Sequence, residues 1–202
     1  VVDTTEIVDT GTGVYMMHGS PMKDHNWYRG GYQKISLPRI LGVSSNIGVS
    51  RIIDEKYADN PTKFVEGLYR IGIGEPLNLE IPGYQPPIIR YPNKQNWWKT
   101  TLAWMSIGYE TQIAPINTLA FYNAIANNGR MVKPRFVKAI MRDGEVIEEF
   151  PVEVLKESIC SSSALKKMQD MLEGVVSKGL GKQAGSKQFH VSGKTGTAQV
   201  AQ

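Results

Sequence analysis

Apolar positions recur at helical spacing along most of this chain, and polar or Gly/Pro clusters separate them. Ser36-Leu37-Pro38 predicts a helix start, with Ser36 as cap and Pro38 in the first turn, where a missing N–H is tolerated. Gly42-Val43-Ser44-Ser45-Asn46 interrupts that helix, and Ile47, Ile52, Ile53 and Tyr57 predict a second one to about Ala58. A third opens at Asn60-Pro61, carries Phe64, Leu68 and Ile71 on one face, and stops at Gly72. Residues 99–107 read as helical. Ala114-Pro115 opens a further helix through Leu119, Tyr122 and Ile125 to Gly129, and Ser161 to Ser163 cap a last one with Leu165, Met168, Leu172 and Val175 on one face. Period-2 patterning is scarcer. Between 132 and 150 two β-rich segments flank Asp143-Gly144, a hairpin signal, and Val191 to Val200 reads as a strand. Residues 1–35 read as loop with short extended pieces. The Gly- and Pro-rich stretch from Gly72 to Trp98 reads as a long ordered loop, with Trp97 and Trp98 as packing anchors.

Composition adds mostly exclusions. At 202 residues, 41% hydrophobic and 21% charged, the chain can bury one sizeable core. Its 23 basic and 19 acidic residues are scattered, so the formal charge of +4 forms no run that would track a nucleic-acid backbone. Cys160 is alone, which excludes an intrachain disulfide. No apolar run approaches the ~20 residues that span a bilayer. The Val1-Val2-Asp3 start resembles neither a signal peptide nor an initiation site, so the expectation is a piece of something longer.

Candidate chemistry sits in the terminal strand. Glycine inside a strand usually marks a bulge or the close approach of a ligand, and Gly193 and Gly196 frame Lys194-Thr195. Period-2 geometry puts Thr195 and Thr197 on one side and Lys194 on the other. Two hydroxyls, bare amides and an ammonium suit an anionic acyl substrate; an ordinary edge strand with a solvated lysine is the competing reading. Ser44-Ser45-Asn46 likewise reads either as a fixed polar corner between two helices or as simple capping. His25 reads as a surface-loop histidine, since His18 and His190 lack ligand-like spacing to it.

In that order, Ser44-Ser45-Asn46 and Lys194-Thr195-Gly196 resemble the second and third motifs of the penicillin-binding transpeptidases and serine β-lactamases. Ser106-Ile107-Gly108-Tyr109-Glu110, Ala114-Pro115-Ile116, Ala126-Asn127-Asn128-Gly129 and the Thr197-Ala198-Gln199 extension are similar to segments of monofunctional, division-type penicillin-binding proteins. The departure lies in the nucleophile, which that family carries in a Ser-x-x-Lys motif heading an apolar helix upstream of Ser-x-Asn. Ser20 to Lys23 has no such helix behind it, and Ser163 to Lys166 comes in the wrong order, so both read as chance matches.

The resemblance implies an α/β (α+β) fold: the mostly helical part of one transpeptidase domain over residues 1–202, with a small hairpin, one active-site strand and an incomplete sheet. The nucleophile segment and the C-terminal strands are expected outside the chain. It implies acyl transfer from D-Ala-D-Ala stem peptides through a serine ester, with penicillins as mimics. Ser44 would relay a proton to the leaving nitrogen, and Asn46 would hold the catalytic lysine and the substrate amide. Lys194 would supply positive potential beside Ser44; Thr195, Gly196 and Thr197 would bind the substrate carboxylate and give an oxyanion donor; Ser45 has no assigned role. No cofactor or metal is implied. The implied partners are peptidoglycan stem peptides, β-lactams and other cell-division proteins, with no nucleic acid. The implied location is extracytoplasmic, with membrane attachment only through an N-terminal anchor outside these residues. A β-lactam sensor domain and a non-catalytic scaffold of a wall-synthesis complex share the motifs. The sharpest structural expectation is that Ser44, Asn46 and Lys194 share one cleft, with the Lys194 and Ser44 side chains within about 6 Å, the reach of one bridging water.

Overall fold

The computed structural model describes residues 2–93 and 95–197. In chain order the elements are β1 (Ile7–Asp9), β2 (Val14–Met17), β3 (Ser20–Lys23), β4 (Lys34–Ser36), α1 (Leu37–Gly42), α2 (Asn46–Tyr57), α3 (Pro61–Arg70) and β5 (Ile88–Ile89). They continue with α4 (Thr101–Met105), β6 (Thr111–Gln112), α5 (Pro115–Ala126), β7 (Met131–Val132), β8 (Ala139–Arg142), β9 (Glu145–Glu149), β10 (Val154–Lys156) and α6 (Ser162–Ser177). The α/β expectation holds. The strands pair two by two, all antiparallel, in the orders β1-β4, β2-β3, β5-β6, β7-β10 and β8-β9.

Two compact units divide the chain. The first comprises Val1–Phe64, Tyr91–Glu110 and Lys166–Gln202 and holds every candidate site residue. Its core is built around α2. Ile47, on one side of that helix, packs with Met17 and Met22 of the β2–β3 hairpin and with Ala103 of α4. Ile52 packs with Ile40 of α1 and Val8 of β1.

The short extended pieces expected in residues 1–35 include β2 and β3, whose pairing as a hairpin the sequence reading missed. Met17 pairs with Ser20 across a two-residue turn, His18-Gly19, in which both residues have positive φ, 50° and 85°. A turn of that hand matches the twist of the strands it joins. Met17 and Met22 point inward and Val14 and Met16 outward, the alternation of a half-buried strand pair.

Close packing of α1 on α2 depends on Gly48. A Cβ there would stand 2.7 Å from Cγ1 of Ile40, whose side chain is fully buried. Gly48→Ala should therefore lower Tm by about 3–6 °C despite alanine's better helix propensity, because overpacking costs ~1–3 kcal/mol and each kcal/mol moves a domain this size by ~2–4 °C. Thermal denaturation of the variant tests this.

The second unit comprises Val65–Arg90 and Thr111–Leu165. Its β8–β9 hairpin turns at Asp143-Gly144, with φ of 51° and 85°, as the sequence predicts. The sequence misjudges which face of α5 is buried. Asn117, Ala120, Ala124 and Ile125 are buried, whereas Leu119 is 61% exposed and Tyr122 lies at the surface. The helix is apolar nearly all round, so periodicity could not choose a face. The expected Trp98 anchor also fails, since its ring is mostly exposed.

Candidate active site

The site begins at the junction of α1 and α2. Helix α1 ends in a Schellman arrangement, in which the Ser45 N–H donates to the Ile40 carbonyl at 3.0 Å and the Ser44 N–H to the Leu41 carbonyl at 3.2 Å. That motif requires a left-handed residue just past the helix, and Ser44 takes it with φ of 53°. Glycine usually occupies such a position, because a side chain there costs about 1 kcal/mol or more. An observed strained serine is a reason to look for function at it.

Ser45, one residue on, is the cap of α2. Its backbone is extended, and its hydroxyl accepts the Gly48 N–H at 2.9 Å. The helix has no acid of its own in its first turn, and Asp24 supplies one from the end of β3. The buried Asp24 carboxylate accepts the Ser45 hydroxyl at 2.7 Å and the Ile47 N–H at 3.0 Å. Both polar readings of the corner are thus right, but for different serines. Ser45, to which the sequence assigned nothing, does the capping, and Ser44 is left free of it.

Lys194 meets that free hydroxyl. Its ammonium donates to Ser44 Oγ at 2.8 Å, to the Thr195 carbonyl at 2.9 Å and to Thr195 Oγ1 at 3.2 Å. The expected approach of Lys194 to Ser44 is met by direct contact, across 150 residues of chain. All three acceptors are neutral oxygens, so an ammonium with three donors is satisfied without a counter-ion among them. Burial consequently pushes the Lys194 pKa down from the usual lysine value. A proton held this way is released more readily than one on a surface lysine.

The geometry corrects two expectations. Residues 191–197 form no strand: among the described residues no strand runs beside them, and the Gly193 N–H donates instead to the Leu172 carbonyl of α6 at 3.2 Å. Residues 198–200 of the expected strand, with the Ala198-Gln199 extension, lie outside the described residues. Lys194 is not turned away from Thr195, because without a ladder its long side chain curls back over the next residue. Asn46 Nδ2 donates to the Lys23 carbonyl at 3.0 Å, which ties the first residue of α2 to β3. Thr197 is exposed, and a Cβ at Gly196 would meet open space, so this side of the segment is accessible.

Neither Ser-x-x-Lys string has the geometry of a nucleophile and base. Ser20 and Lys23 lie on β3 three residues apart, which places them on opposite faces, and the Lys23 ammonium stacks 4.5 Å from the Trp27 ring centroid. Lys166 is paired with Asp170 one turn along α6, which raises its pKa, the reverse of what a base requires. His25 bonds to the Tyr32 hydroxyl at 2.9 Å, in keeping with its reading as a loop residue.

Comparison with known proteins agrees with the expected fold and family. The chain belongs to the penicillin-binding protein transpeptidase domain family, whose profile matches residues 1–202. It is 32% identical over 183 residues to penicillin-binding protein PbpB of Mycobacterium tuberculosis, covering 87% of this chain and 26% of that protein. It is 28% identical over 186 residues to peptidoglycan D,D-transpeptidase FtsI of Escherichia coli K12, covering 92% and 28% respectively. Among solved structures it resembles penicillin-binding protein 3 of Mycobacterium tuberculosis complexed with ampicillin, with a TM-score of 0.77, 26% identity, and coverage of 97% of this chain and 43% of that one. The chain therefore spans about a quarter of the length of the curated relatives it matches.

Proposed function

We propose that this chain is part of a serine-type peptidoglycan D,D-transpeptidase that binds penicillins, and that Ser44, Asn46 and Lys194 are half of its site. The observation that carries this reading is the 2.8 Å bond from the Lys194 ammonium to the hydroxyl of a strained serine. Capping of α1 accounts for the left-handed backbone but not for the ammonium that the hydroxyl meets.

The chemistry follows from the direction of that bond. Ser44 Oγ accepts from Lys194, so its own proton is free to be donated onward. In acyl transfer, a leaving amine must gain a proton as the carbonyl–nitrogen bond breaks. Ser44 can give that proton and be reprotonated by Lys194, whose lowered pKa favours release. The ammonium also places positive potential beside an anionic substrate. Thr195 and Thr197 offer hydroxyls to a stem-peptide carboxylate, the Thr197 amide offers an oxyanion donor, and Gly196 leaves room for the substrate backbone. Asn46, fixed by Lys23, presents its remaining amide capacity to the catalytic lysine and substrate amide in the assembled site. D-Ala-D-Ala stem peptides are the substrate class, and β-lactams react as their mimics. The setting is the outer side of the cytoplasmic membrane, alongside other cell-division proteins, with the anchor and the nucleophile supplied by residues other than 1–202.

Fluorescent penicillin and peptide mapping of the full-length protein test this. A single serine adduct outside residues 1–202 is the expected result, because neither Ser20 nor Ser163 has a base held within hydrogen-bond reach, Ser45 is buried, and Ser44 accepts from an ammonium. An adduct at Ser20 or Ser163 would place the nucleophile in this chain after all. Absence of any adduct in the folded full-length protein would favour the non-catalytic scaffold.

A further inference from the structure

We propose that Asp24 is a positioning residue of this site: its buried carboxylate holds the Ser44-Ser45-Asn46 corner in the shape that lets Ser44 meet Lys194. The proposal rests on the acyl-transfer reading of that corner.

Asp24 is 1% exposed and is fixed at both ends. Its N–H donates to the Gly13 carbonyl at 3.0 Å, and its carbonyl accepts the Trp27 N–H at 3.1 Å. From this fixed base the carboxylate reaches residues 45 and 47, and the neighbouring Lys23 carbonyl reaches residue 46. Three consecutive residues are therefore gripped by the end of one hairpin, and Ser44, immediately before them, is not. The grip also chooses which serine is available. The Ser45 hydroxyl spends its only proton on Asp24 while accepting from Gly48, so it cannot rotate toward Lys194. Ser44 stays in a left-handed conformation that few serines adopt, as expected where the surroundings over-determine it.

The pattern demands an acceptor on both oxygens, because both partners are donors. A carboxylate supplies two, and an amide of the same shape supplies one. Asp24→Asn would keep the Ile47 bond, but it would turn a donor toward the Ser45 hydroxyl and leave that hydroxyl's proton without its acceptor. The freed hydroxyl and the loosened corner shift Ser44. Misplacement of a reacting group by about 1 Å can cost ~100-fold in rate.

The experiment uses the full-length protein and measures penicillin acylation over a range of concentrations, with Tm alongside. Asp24→Asn should lower the limiting acylation rate about 10- to 100-fold while leaving the half-saturating penicillin concentration within about 2-fold, since geometry and not binding is lost. In a Ser44→Gly background the same change should cost less than about 2-fold, because a residue acting through Ser44 has nothing left to position. Equal losses in both backgrounds, or a wild-type rate in folded Asp24→Asn, would overturn the proposal. Should Asp24→Asn fail to fold, Ser45→Ala removes the Oδ2 partner together with the cap on the Gly48 N–H, and its loss of rate must likewise vanish in the Ser44→Gly background. A wild-type protein that is never acylated would instead sink the acyl-transfer reading itself.

Discussion

Replacing Ser44 by Gly should abolish most acylation while leaving the fold as stable as before. The two effects separate because Ser44 does two unrelated things. Its hydroxyl receives the Lys194 proton at 2.8 Å, and its backbone supplies the left-handed residue that closes α1. Loss of a positioned proton donor typically costs ~10²- to 10⁴-fold in rate, so an acylation rate at least 100-fold down is expected in the full-length protein. For the backbone, glycine removes a strain of about 1 kcal/mol, roughly offset by the extra freedom it gives the unfolded chain. Tm should then stay within about 3 °C of wild type. Ser44→Ala should lose the same activity while retaining the strain, which assigns the loss to the hydroxyl. A Ser44→Gly protein that acylates normally would reduce Ser44 to the end of a helix.

The second large effect is expected from Lys194→Met, and pH makes it diagnostic. Burial lowers the Lys194 pKa in the folded protein, while in the unfolded chain it returns to about 10.4. Between those values the unfolded state binds more protons, so this group makes stability rise with pH across that window. Below the folded value both states carry the proton, and the buried cation is a full cost. Methionine has neither the charge nor the titration. The variant should therefore melt no more than about 2 °C below wild type at pH 7, and the gap should move in favour of wild type as pH approaches 10. Acylation should fall ~100-fold or more at neutral pH, because both the proton source for Ser44 and the positive potential are gone. Lys194→Arg should rescue little. A guanidinium keeps its proton throughout this range and presents a planar fork where the site offers three oxygens to a compact ammonium. Equal losses of Tm and acylation in Lys194→Met would make the lysine structural.

What local chemistry dictates was legible in the residues. Pro38 and Pro115 in first helical turns, Gly72 past the end of α3 and Asp143-Gly144 between strands each act within a few residues of themselves, and each feature appears where those residues stand. The β2–β3 hairpin escaped the same reading because His18 occupies a left-handed position more often filled by Asn, Asp or Gly. The motif pair, too, could be read as a pair, through its resemblance to the ordered motifs of a known family.

Tertiary structure alone decided which member of each motif does what. Adjacent serines are alike in one dimension; in space, Ser45 points into a buried carboxylate 21 positions earlier and Ser44 toward an ammonium 150 positions later. Asp24 gave no signal of its own, since an aspartate beside His25 and Asn26 reads as loop until its two donors are seen. The Lys194-Thr195-Gly196 segment has the residues of a strand and no strand beside it among the described residues, so its backbone bonds to α6 and its lysine folds back on Thr195. The buried face of α5 carries Asn117, Ala120, Ala124 and Ile125, a choice that hydrophobic periodicity could not make in a helix apolar nearly all round. Short-range rules of capping, turns and proline geometry are written in neighbouring residues. Hydrogen-bond direction, burial and proton affinity depend on partners that only the folded chain brings together.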